Sequence, residues 1–85
     1  MFLIVIYDVN AANCPKVNAY LKRHLQWVQN SAFEGQVTSA QFAKIRSDLK
    51  KMLGEKEKVT FYLAESKNAV EKAEIGPNSL TSWVV

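Results

Sequence analysis

The sequence has few of the residues from which small proteins build covalent or metal cross-links. Its 85 residues include one cysteine, Cys14, and one histidine, His24. A single cysteine excludes an internal disulfide framework and any site built from several thiolates. A single histidine excludes zinc fingers and metal sites that use a pair of histidines. Cys14 precedes Pro15 and has no basic neighbour that would activate it, so we expect an unreactive thiol.

Long apolar runs and targeting signals are missing as well. The apolar stretch at residues 2–7 has no basic segment before it and is ended by Asp8, which is not the pattern of a signal peptide. No stretch approaches the roughly 20 apolar residues that a membrane span requires. We therefore expect a cytoplasmic protein with no membrane partner. Repeats, low-complexity runs and linkers are also missing, which predicts one domain over residues 1–85.

Apolar residues, in contrast, are plentiful. They make up 48% of the chain, too large a share for a disordered protein. A chain of this size buries only about 60% of the surface that its unfolded form exposes, and such cores rarely supply more than about 5 kcal/mol. Because disulfides and metal clusters are excluded, we predict that an obligate homodimer supplies the remaining stability. The net charge of +3 is compatible with a nucleic-acid partner but does not require one.

The first third of the chain predicts a strand and then a helix. Residues 2–9 form a β-branched and aromatic run without alternation, which is typical of a strand covered on both faces. Pro15 suits the first turn of the helix. Residues at three-to-four spacing form one apolar stripe of that helix: Val17, Tyr20, Leu21, His24 and Leu25. Because His24 belongs to this stripe, we expect it to be half-buried.

The middle of the chain predicts extended structure followed by a second helix. Residues 27–37 read as extended, and a tight turn at Asn30 and Ser31 would divide them into two short strands. Thr38 and Gln41 have the spacing of a capping box, which begins a helix. The apolar stripe of this second helix consists of Phe42, Ile45, Leu49, Met52 and Leu53.

The last third predicts one further strand and an extension. Residues 59–63 alternate and predict a half-buried strand. Residues 65–85 form a C-terminal extension with one plausible short strand at 70–75 and an apolar end. We expect this extension to dock on a partner, with Trp83 as the anchor, because buried tryptophans dominate such contacts.

The predicted order is that of an α+β, ferredoxin-like βαββαβ sandwich with an additional C-terminal strand or tail. Two helices cover only one face of its antiparallel sheet. The first strand is apolar on both sides, so its other face also needs a cover. A second copy of the sheet is the economical one, which predicts a dimer through the sheet face.

Two motifs carry a resemblance to a known family. Tyr7-Asp8 closes the apolar first strand, and residues 28–35 follow about twenty residues later and lead into a Thr-capped helix. Together these motifs resemble the CRISPR-associated endoribonuclease family, the small subunit of the spacer-acquisition (adaptation) complex, which partners a larger integrase. The match runs from Phe2 to about Ile75 and follows the expected order of elements.

The resemblance implies a catalytic and metal-binding role for Asp8. In the family this aspartate lies near the two-fold axis, where it and its twin hold a divalent ion, usually Mg²⁺. Paired carboxylates suit such a hard cation. The family also uses the positions of Ser31 and Phe33 around the metal. Taken without the resemblance, however, the spacing favours a solvated strand end for Asp8 and a core position on the opposite face for Tyr7. Ordinary strand packing stays an open alternative for Ser31 and Phe33.

Three departures from the family weigh against independent cleavage. Asn10 stands where many members carry a second acidic residue, and Trp27 stands where an arginine is common. The basic cluster at the start of the first helix is reduced to Lys16. Tryptophan cannot replace the bidentate phosphate contacts of arginine. Binding to duplex DNA tolerates such losses better, because phosphate contacts are many and interchangeable. The helices offer these basic residues for that contact: Lys16, Lys22 and Arg23 on the first, and Lys44, Arg46, Lys50 and Lys51 on the second.

Three functions are therefore compatible with the sequence. The first is an adaptation subunit that dimerises, binds duplex DNA (or RNA) and bridges the integrase, with Mg²⁺-dependent endonuclease activity as an addition. The second is a stand-alone metal-dependent endoribonuclease or deoxyribonuclease with Asp8 at its centre. The third is a ferredoxin-like regulatory or RNA-binding module, which the missing aromatic strand motif of RNA-recognition domains disfavours.

Overall fold

The computed structural model describes residues 1–71 and 73, which form a four-stranded sheet and two helices. In chain order the elements are β1 (Phe2–Asp8), α1 (Cys14–Lys22), β2 (Gln26–Gln29), β3 (Ala32–Gln36), α2 (Ser39–Met52), β4 (Lys58–Ala64) and a 3₁₀ turn (Lys67–Ala69). The strands pair antiparallel in the order β2-β3-β1-β4. This confirms the predicted α+β, ferredoxin-like arrangement. Trp83 and residues 72, 74 and 75 of the predicted short strand lie outside the described residues.

The turn at Asn30 and Ser31 divides the extended middle segment into β2 and β3, as predicted. Asn30 has a φ of 42°, in the left-handed region that asparagine tolerates better than most residues. The indole Nε1 of Trp27 donates a hydrogen bond to the Asn30 carbonyl at 3.0 Å, which fastens the turn to β2. The hairpin brings β3 back beside β1, at the centre of the sheet.

The capping box at the start of α2 is confirmed. Gln41 N donates to Thr38 Oγ1 at 3.1 Å, and Thr38 N donates to Gln41 Oε1 at 2.7 Å. The prediction for the end of α1 is wrong: the helix ends at Lys22, two residues before His24. The histidine therefore no longer continues the buried stripe. It is exposed, and its ring centroid lies 4.6 Å from that of Tyr20.

The main core lies between the helices and one face of the sheet. Alternate residues of β1, Leu3, Val5 and Tyr7, point into it. A Cβ added at Gly35 of β3 would lie 2.9 Å from Leu25 Cδ2, so a larger residue there would displace the end of the Leu25 side chain. The remaining buried members of the core are Val17, Tyr20, Leu21, Leu25, Phe33, Val37, Ile45 and Leu49.

The opposite side of the sheet carries the other residues of β1. We call it the Asp8 face and define it by Ile6, Asp8 and Tyr62. Phe2, at its far end, is buried, but Ile6 is 43% exposed and Tyr62 is 55% exposed. The described part of one chain therefore does not cover β1 on both faces, as the continuous apolar run suggested. The cover by a second copy stays a prediction. Among the described residues, no helix is long and apolar enough to cross a membrane.

Candidate functional site

Asp8 is the last residue of β1, where the strand emerges from the sheet. It is exposed, and the alternation of the strand places it on the Asp8 face, away from the helices. Its partner in the β1–β4 pairing is Lys58, the first residue of β4, which is also exposed. Directly opposite residues share a face in an antiparallel pair. Within residues 1–71 and 73 these two side chains form no ion pair, so a carboxylate and an ammonium group stand side by side at the sheet end.

The backbone that follows Asp8 is held by Glu57. Oε2 of Glu57 accepts a hydrogen bond from Asn10 N at 2.8 Å. Oε1 accepts two, from Gly54 N at 2.7 Å and from Asn13 Nδ2 at 2.8 Å. These bonds, the one from Gly54 first, lower the pKa of Glu57 below its usual value. We call this set of three hydrogen bonds the Glu57 clamp; it joins the loop after β1 to the turn before β4.

Asn13 extends the same junction to both helices. It is the N-cap residue of α1, and its Nδ2 also donates to the carbonyl of Met52, the last residue of α2, at 3.0 Å. The start of α1, the end of α2 and the start of β4 are thereby fixed to the loop that follows Asp8. In the sequence Glu57 is one of four consecutive charged residues, 55–58. Its role is not visible there because its partners are up to 47 residues away in the chain.

The structure does not bring Tyr7 and Phe33 beside Asp8. Phe33 is fully buried in the core on the helix side, where its ring centroid lies 6.3 Å from that of Tyr7. The Tyr7 hydroxyl accepts a hydrogen bond from Asn18 Nδ2 of α1 at 3.3 Å. Both aromatic residues therefore pack in the core, the alternative that the sequence left open. Ser31 lies in the hairpin turn, and its backbone carbonyl oxygen accepts a hydrogen bond of 3.1 Å from Tyr7 N.

The donor set at this sheet end fits Mg²⁺ only in part. Among the described residues there is no group of three or more acidic, histidine or cysteine side chains that would hold a metal by itself. Asp8 contributes one hard carboxylate. Magnesium is commonly bound through one or two carboxylates, with water and phosphate oxygens in the other positions. A second carboxylate, from Asp8 of another copy, would make the donor set one that suits the ion.

Positive charge is concentrated on the helices. They hold six of the eleven Lys and Arg residues but one of the eight Asp and Glu residues. The acidic one, Asp48, accepts hydrogen bonds from the Tyr20 hydroxyl at 2.6 Å and from Lys44 Nζ at 3.0 Å. The hydrogen bond from Tyr20, and to a smaller extent that from Lys44, lowers the pKa of Asp48. Burial and the nearby Asp48 carboxylate raise the pKa of Tyr20. Lys44 is thus partly neutralised. The predicted phosphate-binding residues on this surface are all exposed: Lys16, Lys22, Arg23, Lys50 and Lys51.

Two shallow depressions on the helix side place cations over apolar floors. One, of about 380 Å³, is lined by Lys16, Arg23, Tyr20 and Met52, and the Arg23 guanidinium lies 5.6 Å from the centre of the Tyr20 ring. The other, of about 170 Å³, is flanked by two more basic residues, Arg46 and Lys50. Both are open to solvent. Their form suits contacts with a phosphate backbone better than enclosure of a small substrate.

Comparisons with known proteins agree with the fold and with the family resemblance. The family model "CRISPR associated protein Cas2" matches residues 1–72. The chain is 34% identical to a CRISPR-associated endoribonuclease Cas2 of Methanosarcina acetivorans, with all of both chains covered. It is 39% identical to the protein of that name from Methanocaldococcus jannaschii, where 88% of this chain matches 66% of the relative.

Solved structures give the same result. One described as a crystal structure of Cas2 matches with a TM-score of 0.87 and 33% identity, covering 100% of this chain and 97% of its own. Cas2 of Streptococcus pyogenes matches with a TM-score of 0.72 and 32% identity, covering 87% of this chain and all of its own. With the family model spanning nearly the whole described chain, the protein belongs to the CRISPR-associated Cas2 family.

Proposed function

We propose that this chain is a CRISPR adaptation subunit that acts as a homodimer, holds duplex DNA on its helical surface and bridges the integrase for spacer acquisition. The observation that supports this most is the separation of charge. Six basic residues and a single, internally engaged carboxylate lie on the two helices. A dimer formed through the Asp8 face repeats that surface about a two-fold axis, so it presents one basic strip on each of its two outer sides.

Such a surface gives affinity without a dedicated pocket. Each phosphate contact is weak, and the release of counterions makes the sum strongly dependent on salt. The Glu57 clamp and Asn13 fix the ends of α1 and α2 to each other. Cations on the two helices therefore keep a fixed spacing and act together on a backbone of regular phosphate spacing.

The duplex contact is tested by removing charge from the helices and, separately, from elsewhere. One variant carries Lys50→Gln and Lys51→Gln at the end of α2; its control carries Lys56→Gln and Lys67→Gln, which lie outside α1 and α2 and remove the same charge. In the first variant we expect the slope of log affinity against log salt concentration to become shallower by about 0.9 for each phosphate that is no longer neutralised. In the control variant we expect the slope to stay unchanged. An equal fall in both variants would show that net charge, and not the helical surface, binds the duplex.

The dimer is tested by light scattering on the purified protein. The half-exposed Ile6 and Tyr62 on the Asp8 face support an interface there. We expect a mass of two chains at micromolar concentration. A folded monomer at that concentration would exclude the proposed architecture and leave the Asp8 site with a single carboxylate.

A second proposed activity is Mg²⁺-dependent cleavage of nucleic acid at Asp8. The exposed, unpaired position of Asp8 among the described residues supports it, as do the names of the relatives, which are called endoribonucleases. A bound Mg²⁺ would supply polarisation of the phosphate and a more acidic water. This chain's own residues would contribute the hard oxygen ligand, from Asp8, and a cation for the phosphate on the same face, from Lys58.

Cleavage is tested with Asp8→Asn, which keeps the size of the side chain and removes its charge. We expect the wild-type protein to cleave RNA or DNA in Mg²⁺, and the variant to lose at least about 100-fold in rate, as is usual when a catalytic electrostatic group is removed. The Lys56→Gln variant serves as a surface control. Equal cleavage by the wild-type and Asp8→Asn proteins would assign the activity to another residue or to a contaminant.

A further inference from the structure

The pairing of β1 with β4 ends at Asp8 and Lys58, and the next contact beyond that pair is made by a side chain. Oε2 of Glu57 accepts the hydrogen bond of Asn10 N at 2.8 Å. Glu57 directly precedes Lys58, and Asn10 is two residues beyond Asp8. The carboxylate therefore continues the hydrogen bonding between the two chain segments where the backbone ladder stops.

The end of a ladder needs such support because terminal pairs open at little cost in free energy. Asp8 and Lys58 are both exposed and form no ion pair among the described residues. Their own side chains thus do not hold the pair closed. The Glu57 clamp does, and it fixes the loop to two further points, Gly54 N and Asn13 Nδ2.

We propose that Glu57 is a positioning residue for Asp8: by holding Asn10 N, it fixes the end of β1 and with it the direction of the Asp8 carboxylate toward a divalent cation. The inference rests on the proposed metal-binding role of Asp8. The hydrogen bonds of Glu57 go to Asn10, Asn13 and Gly54, so it would act on Asp8 through the backbone of residues 8–10. Residues of this kind, which orient a ligand without binding the metal, commonly change metal affinity by 10- to 100-fold.

The test uses Glu57→Gln with Glu55→Gln as its matched control. A glutamine has one acceptor oxygen in place of two, so it cannot serve both Asn10 N and the donors at Oε1. Glu55 lies in the same turn, is exposed and loses the same charge. Glu57→Asp is a second variant in case the glutamine protein does not fold, since its shorter side chain cannot span all three donors. Circular dichroism verifies folding of each protein.

Two measurements distinguish the opening of the Glu57 clamp from its effect on Mg²⁺ binding. Hydrogen exchange at Asn10 N reports whether the clamp is open, and a titration with Mg²⁺ alone, followed by the carboxyl carbon resonance of Asp8, reports metal affinity. We expect faster exchange at Asn10 and an Mg²⁺ affinity about 10-fold weaker in Glu57→Gln or Glu57→Asp. In Glu55→Gln both quantities should equal those of the wild type.

Each other result overturns a definite part of the inference. Faster exchange at Asn10 with unchanged Mg²⁺ affinity would show that the clamp is structural only. Equal weakening in Glu55→Gln would assign the effect to the net charge of the turn. If the Asp8 resonance of the wild-type protein does not respond to Mg²⁺, the proposed metal site itself is refuted. This result can be distinguished from the other failures, because then none of the variants would show a response to Mg²⁺ either.

Discussion

Phe33 offers the clearest test of which residues belong to the core and which to the site. The family resemblance places this position around the metal, but the structure buries the ring completely between β3 and the helices. Replacing a fully buried phenylalanine by alanine costs about 3–5 kcal/mol. Cores of proteins this small rarely supply more than about 5 kcal/mol, so we expect Phe33→Ala to lose most of the stability that the core provides and to unfold at a much lower urea concentration.

The assay for Phe33 is urea unfolding followed by circular dichroism, at one fixed protein concentration because dimerisation couples to stability. Phe33→Leu keeps much of the volume and should retain a cooperative transition at a lower midpoint. Its Asp8 resonance should still respond to Mg²⁺ as in the wild type. The core assignment would be refuted if Phe33→Ala lost less than about 1 kcal/mol while the response of Asp8 to Mg²⁺ disappeared.

Three further predictions concern stability. Gly35→Ala places a Cβ 2.9 Å from Leu25 Cδ2, and overpacking of this kind should cost about 1–3 kcal/mol in urea unfolding; an unchanged midpoint would show that Leu25 moves freely. Thr38→Ala removes half of the capping box and should cost about 1 kcal/mol, whereas Thr38→Ser should be close to neutral in the same assay. Folding lowers the pKa of the Asp48 carboxyl group. The ionised carboxylate therefore stabilises the folded protein fully at pH values above the pKa of the unfolded state. This stabilisation is lost as the pH falls through the pKa of the folded state. Asp48→Asn should therefore lose less stability than the wild type between pH 5 and pH 2, and equal losses in thermal scans would contradict the Tyr20 contact as its cause.

The elements that local chemistry determines were predictable from the sequence. Thr38 and Gln41 predict the start of α2 because both hydrogen bonds of a capping box form within one helical turn. Asn30 marks the hairpin because few residues adopt its positive φ. The apolar run at residues 2–9 predicted a strand, which the structure forms as β1; its central place between β3 and β4 comes from the structure.

The features that depend on distant contacts were not predictable. His24 follows the spacing of the α1 stripe, but the stripe gives no sign that the helix ends at Lys22. Likewise, a pattern shows that Phe33 is apolar without showing which side of the sheet it packs on. Glu57 looks like one charge in a charged turn until folding brings Asn10 and Asn13 to its two oxygens. The candidate site was therefore predicted at Asp8, and the residues that hold it required the structure.

The central proposal is that the dimer serves first as a duplex-holding subunit and only secondarily as a nuclease. The most direct measurement is insertion of a short DNA duplex by the integrase in the presence of wild-type protein or Asp8→Asn, with Mg²⁺-dependent cleavage by each protein measured separately without the integrase. We predict that Asp8→Asn loses cleavage and still supports insertion. If insertion falls in parallel with cleavage, Asp8 chemistry is required for the function and the assembly role is contradicted.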